Sequence, residues 1–258
     1  MLNLDTRTLE YLHESNAIEN ITSIDYSRPE NAEPSRGHVG AFLHAQSLAN
    51  KRQPLVVADL CHWQGLICEE QLRFGVPIPQ NAVGALRSKA VPFNVRVGTH
   101  IAPSFAEVPG LVAVLIRDLN ARLAPLSQYE DEAVIASMLG DFFQRFEAIH
   151  PFVDGNGRTG RLLASYIATF LGEPIVIFRA NERPAFYAAH RSKLAMRCFM
   201  ADKLRECVRG PDGTLYPRAW QDGEGADCYI VGTEKRIIER HMLNANKQAW
   251  LAEEAKKR

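Results

Sequence analysis

The sequence predicts an all-α helical bundle carrying one short β-hairpin. Apolar residues recur at helical spacing along most of the chain, as in Val134, Ile135, Met138, Leu139, Phe142, Phe143, Phe146 and Ile149. Strand-like alternation is confined to Val95, Val97 and Ile101 around Gly98, bounded by Pro92 and Pro103. The chain has 258 residues, 46% of them hydrophobic and 23% charged, which is enough to bury one sizeable core.

Taken in order, Leu4 to Ile18 shows a modest helical pattern through Leu9, Leu12 and Ile18, and an N-terminal helix is expected over about 6–20. Ser, Pro, Asn and Glu dominate Tyr26 to Arg36, which reads as a linker or surface loop. Helices follow over Val39–Leu48 and Val56–Leu72, with Leu60, Trp63 and Ile67 as core and His44 and His62 as packed or exposed histidines. After the hairpin, Leu111–Leu123 and Glu130–Ile149 are amphipathic helices joined around Pro125. A further helix begins near Asn156, buries Leu162, Leu163, Tyr166, Ile167 and Phe170, and ends at Gly172-Glu173-Pro174. Ile175–Phe178 suits either a strand or buried coil. Pro184 opens a helix to about Cys207, Gly210–Gly225 reads as an exposed loop, and Thr233–Arg258 as a terminal helix. The expected division is an N-terminal segment 1–35, a core domain 36–209 and an appended loop and helix 210–258.

Chemistry concentrates in His150-Pro151-Phe152-Val153-Asp154-Gly155-Asn156-Gly157-Arg158-Thr159-Gly160-Arg161. Pro151 disfavours helix at the residue before it, so the incoming helix should stop at His150 and leave the imidazole beside a loop. Gly155-Asn156-Gly157 can turn successive amides toward one point at the start of the next helix, where Arg158 and Arg161 add positive charge. A histidine can take a proton from a hydroxyl, the nest and arginines can hold a polyphosphate, and Asp154 can hold its Mg²⁺. An in-line displacement at phosphorus fits this set. Neither a P-loop nor the kinase motifs occur.

The segment resembles the signature of the Fic family, His-Pro-Phe-x-(Asp/Glu)-Gly-Asn-Gly-Arg-x-x-Arg, with every defined position matched. Phe146-Glu147-Ala148-Ile149 before it is also similar. The resemblance implies a Fic-type helical bundle, with transfer of AMP from ATP to a hydroxyl side chain of a target protein and release of pyrophosphate. It implies His150 as base toward a Ser, Thr or Tyr hydroxyl, and Asp154 as ligand of Mg²⁺ or Mn²⁺. Gly155, Asn156 and Gly157 would form the anion hole, with Arg158 and Arg161 on the phosphate tail. Gly84–Arg87, Val95, Arg96, Val97, Gly98 and Ile101–Pro103 resemble the family's flap, which covers the nucleotide and, over about 94–102, pairs its backbone with the target. Tyr187 resembles a tyrosine of the adenine pocket.

Ser15-Asn16-Ala17-Ile18-Glu19-Asn20 resembles the family's inhibitory motif, (Ser/Thr)-x-x-x-Glu-(Gly/Asn). Ser15 and Glu19, four apart, would share a helix face. The implied role of Glu19 is to pair with Arg161, taking the cation meant for the γ-phosphate. The expected activity is therefore self-inhibited protein adenylylation. Removal of AMP from a modified protein by Glu19, and a nucleotide-sensing or toxin–antitoxin module without turnover, remain as alternatives.

Lys+Arg 30 balance Asp+Glu 30, so no general nucleic-acid surface is indicated. No run reaches a membrane span, the five cysteines form no C-x-x-C pair, and the first residues do not read as a signal peptide. A cytoplasmic location is expected. Homo-oligomer formation is left open.

Overall fold

The computed structural model describes residues 4–126 and 131–206, and beyond them the backbone of 208–209, 215–216, 228–231 and 234–237. The helices are α1 (Thr6–Ala17), α2 (Gly37–Asn50), α3 (Val57–Arg73), α4 (Val108–Leu123), α5 (Glu132–Ile149), α6 (Asn156–Phe170), α7 (Arg183–Ala189) and α8 (Lys193–Leu204). The hairpin is β1 (Arg96–Val97) with β2 (His100–Ile101). This is the predicted helical bundle with its short hairpin.

α6 is the axis of the fold. Nearly every one of its side chains is buried, because α2, α3 and α5 pack around it and α1 lies across it. α4 and α8 cover the far side of α5. The main core is one apolar cluster that includes Phe142, Phe143 and Phe146 of α5 and Leu162, Leu163 and Tyr166 of α6. Burying each such side chain is worth about 1.5–3 kcal/mol, so the α5–α6 pair is held firmly on both sides of the loop between them.

Local chemistry explains the element ends. Asp131 caps α5 by accepting from the amide of Ala133. Gly98 takes the first central place of the β1–β2 turn at φ 57, as a tight hairpin turn of this kind demands. His44 is packed, its Nδ1 accepting from Trp63 Nε1 at 2.9 Å. Val176, Ile177 and Phe178 are buried without forming a strand.

Five expectations are corrected. The helix read from Pro184 to Cys207 is two helices, because Ser192 adopts extended backbone (φ -154, ψ 156) and its side chain caps Ala195. The 26–36 stretch is no free linker: Tyr26 is buried, accepts from Asn16 Nδ2 and donates to Glu70 Oε2, both at 2.7 Å. Helix α1 stops at Ala17, short of the expected 20, and Asn20 turns the chain at φ 60. Finally, residues 234–237 form a strand, β6 (Glu234–Ile237), pairing with β5 (Cys228–Val231), where the start of a terminal helix was read. The β-prone Tyr229-Ile230-Val231 favours strand over helix there. A further small hairpin pairs β3 (Val208–Arg209) with β4 (Leu215–Tyr216), the second strand falling inside the stretch read as a loop. The remainder of the expected terminal helix, 238–258, lies outside the described residues.

Candidate active site

His150 follows the last turn of α5 with φ 48 and ψ 63, a left-handed backbone that non-glycine residues adopt at a cost of about 1–3 kcal/mol. Arg87 holds it there. Its Nε donates to His150 O at 2.8 Å and its Nη2 to Ile149 O at 2.9 Å. Its Nη1 reaches Phe93 O and Pro103 O, and its own amide donates to Pro151 O. One fully buried guanidinium thus fastens the two feet of the hairpin to the loop that presents His150. His100 Nε2 donates to Ala148 O at 2.9 Å and ties the hairpin's tip to α5 as well.

The loop between α5 and α6 is shaped from within. Asn156 Nδ2 donates to Phe152 O and the Phe152 amide donates to Asn156 Oδ1, at 2.9 and 2.8 Å. Gly155, at φ 78, starts α6, and its amide donates to Asp154 Oδ1. Gln64 of α3 donates to Asp154 O at 3.1 Å and accepts from the Gly84 amide. The signature asparagine therefore works through its side chain as a clamp, and the Gly155 amide is already engaged by Asp154.

A cavity of about 1230 Å³ opens beside this loop. Glu19, Val97, Gly98, His150, Gly157, Arg161 and Tyr187 line it. The other nominated residues, Ser15, Val95, Arg96, Asp154, Gly155, Asn156 and Arg158, do not. Arg158 is buried, donates to Gln71 Oε1 at 2.5 Å and lies 3.7 Å from Asp154 Oδ1. Tyr187 is 56% exposed at the rim, and Arg96 Nε turns back to Gly98 O.

Arg161 and Glu19 meet inside the cavity. Arg161 is 1% exposed; its Nε donates to Ser15 Oγ at 2.9 Å, and its Nη2 to Ser15 O at 2.6 Å and Glu19 Oε1 at 2.8 Å. Ser15 and Glu19 do not share a helix face as read, because Glu19 lies in the turn after α1. They meet on Arg161 instead. A Cβ on Gly157 would fall 2.3 Å from Glu19 Oε1, so the carboxylate rests against the first turn of α6, where an anion is favoured. Burial by itself would raise the Glu19 pKa, but the charge and hydrogen bond of Arg161, then Arg158 and Arg183, hold it below the usual value. Arg183 grips this turn from the other side, donating to Ala17 O at 2.9 Å, to Asn20 Oδ1 at 3.1 Å and to Ile18 O.

His150 is lowered to about 4 by burial and then by Arg87, partly offset by a hydrogen bond with the Glu147 backbone. It is neutral at pH 7, as a proton acceptor must be. Two residues with a part here were noticed in sequence only as members of family-like stretches, without a role of their own: Arg87 in Gly84–Arg87, and Glu147, in the cavity wall, in Phe146–Ile149.

Residues 54–168 match the family model described as Fic/DOC family. This stretch, which holds His150 and the loop after it, belongs to the Fic/DOC family; Ser15, Glu19 and Tyr187 lie outside it. Protein adenylyltransferase Fic of Drosophila willistoni is 36% identical over 102 residues, and that of Drosophila mojavensis 37% over the same length. In both cases the match covers 40% of this chain and 19% of the relative. The chain thus spans about a fifth of the length of these curated relatives. Among solved structures, a Fic domain containing signaling protein from Bacteroides thetaiotaomicron superposes with a TM-score of 0.58 at 18% identity, covering 76% of this chain and 82% of that one. Fic-1 from C. elegans gives 0.53 at 18% identity, covering 77% and 61%. Both share the helical fold.

Proposed function

We propose that this chain is a self-inhibited protein adenylyltransferase that moves AMP from ATP onto a Ser, Thr or Tyr hydroxyl of a target protein. The observation that carries the reading is the meeting, in one cavity, of His150, whose proton affinity is lowered by burial, and the start of α6, whose Arg161 is held by Glu19. The target hydroxyl attacks the α-phosphorus of ATP, pyrophosphate leaves, and His150 takes the proton. Arg161 and the amides of the first turn of α6 hold phosphate oxygens. Glu19 opposes this by occupying Arg161 and placing a negative charge where the phosphate tail must go.

Asp154 suits a Mg²⁺ or Mn²⁺ ion carried by the nucleotide. Its side chain is 43% exposed at the mouth of the loop, and Mg²⁺ bound with phosphates needs one or two carboxylates and keeps its waters. No fuller cage is required, and no cluster of three or more His, Cys, Asp or Glu occurs among the described residues. Such an ion supplies charge neutralisation on the phosphates.

The hairpin supports engagement of a target by strand addition, since Val97 and Ile101 are 48% and 74% exposed on a two-stranded ribbon. Among the described residues no helix is long and apolar enough to cross a membrane. A cytoplasmic setting is part of the proposal, supported by free Cys61, Cys68 and Cys198.

The test is label incorporation into protein by Glu19→Gly with Mg²⁺ and either α- or γ-labelled ATP, with His150→Ala as blank. Incorporation of α-label without γ-label supports adenylyl transfer. Incorporation of γ-label, or of neither, overturns it, and loss of α-label from a pre-modified target marks the reverse reaction.

A further inference from the structure

Glu147 stands one helical turn before His150 in the cavity wall, and the transfer mechanism above leaves it without a role. It is 16% exposed, and its Oε1 is sealed from solvent with no hydrogen-bond partner. Its Oε2 lies 4.0 Å from Nδ1 of His150. The facing helix makes room for it: a Cβ on Gly160 would fall 2.4 Å from Glu147 Oε1. A glycine inside a helix weakens that helix, and the carboxyl it admits explains its place in α6.

A carboxyl buried without a donor is poor design for stability and common at sites of chemistry. Burial pushes the Glu147 pKa up to about 7, against the pull of Arg161 and with the help of Glu19. The groups that face it are therefore His150 just past the end of its own helix, Arg161 from α6 and Glu19 from the turn after α1. Arg87 and His100 face the imidazole.

We propose that Glu147 is a positioning residue for His150, its carboxylate, 4.0 Å from Nδ1, stabilising the imidazolium formed when the base takes the target's proton. The inference rests on the reading of His150 as that base. During transfer the hydroxyl oxygen bonds to the α-phosphorus, the bond from that phosphorus to the bridging β-phosphate oxygen breaks, and pyrophosphate leaves with the electron pair. The hydroxyl proton passes to one ring nitrogen, while the other keeps its own hydrogen, and the ring retains its hydrogen bond to the Glu147 backbone. The ring becomes a cation in a place where burial, Arg87 and His100 all disfavour one. Glu19 favours that cation in the resting chain, but it must leave for the phosphates to enter. Glu147 is the carboxylate that stays.

Glu147→Gln in the Glu19→Gly background keeps the shape and removes the charge. The expected result is a kcat at least about tenfold lower with KM for ATP unchanged. The rise of rate with pH that accompanies ionisation of Glu147 disappears as well. Glu147→Asp, which keeps the charge but draws it back by one methylene, falls between the two. An unchanged kcat and pH profile in folded Glu147→Gln, checked by its melting temperature, overturns the proposal.

A second arm needs no turnover. In the nucleotide-free chain the His150 ring resonances should step near pH 7 as Glu147 ionises beside them, and the step should vanish in Glu147→Gln. A step that survives in the variant overturns the pairing. If Glu19→Gly labels no protein while the step is present and lost as expected, adenylyl transfer fails and the Glu147–His150 pair stands.

Discussion

Replacing Glu19 with glycine removes one side of an ion pair whose other side is buried and stays buried. Arg161 is 1% exposed and Glu19 36%, so the pair is half shielded from water. A charge-assisted hydrogen bond is worth about 1.5–3 kcal/mol, and the exposure of Glu19 puts this one near the middle, about 2 kcal/mol. Arg161 keeps both contacts to Ser15, so it remains oriented in the variant. If ATP must displace Glu19 from Arg161, about 2 kcal/mol is subtracted from its binding, which is a factor of about 30 in Kd. The assay is calorimetric titration with Mg²⁺–ATP of His150→Ala against Glu19→Gly/His150→Ala, the histidine change preventing turnover in both. The double variant should bind about thirtyfold more tightly. Adding Arg161→Ala to both should erase the difference, because the competition runs through that guanidinium. Dissociation constants within about twofold of each other would show that Glu19 and the phosphate tail do not compete for Arg161.

His150→Ala alone should abolish α-label incorporation while leaving ATP affinity in the Glu19→Gly background within about threefold, because only the proton acceptor is lost; near wild-type transfer would refute its role. Asp154→Ala should remove activity together with the dependence on Mg²⁺, and full activity in chelator contradicts the assignment. Arg87→Ala empties a hub of four side-chain hydrogen bonds and strands buried carbonyls, so unfolding free energy should drop by about 3–5 kcal/mol in denaturant titration. A drop below about 1 kcal/mol would mean that His150 keeps its left-handed backbone without it. Acidification should leave the Glu19–Arg161 contact intact through neutral pH. The Glu19 pKa is depressed, so the stabilisation is present above 4.5 and fades as pH falls below it. Loss of self-inhibition near pH 6 would contradict that sign.

Much of this site was legible before any coordinates. Pro151 marks the end of α5 at His150, Gly155 marks the start of α6, and the spacing of Arg158 and Arg161 after it puts positive charge on that start. These are local effects of backbone sterics and helix geometry, which neighbouring residues decide. The hairpin was equally readable from alternation around Gly98. Where the reading slipped, a single side chain outweighed periodicity: Ser192 capping α8, or Asn20 turning the chain after α1.

What sequence alone determined, then, is the bundle, the hairpin and the glycine loop that sets His150 beside the start of α6, since each follows from spacing within a short stretch. What only the tertiary structure decided are contacts between residues far apart along the chain. Glu19 sits on Arg161 across 142 residues, and Arg87 grips the His150 carbonyl across 63. Glu147 and Gly160 face each other from two helices. Periodicity records which face of a helix is apolar but not what a charged residue on it will meet. That is set when the helices pack, because burial then makes each charge find a partner or shift its proton affinity.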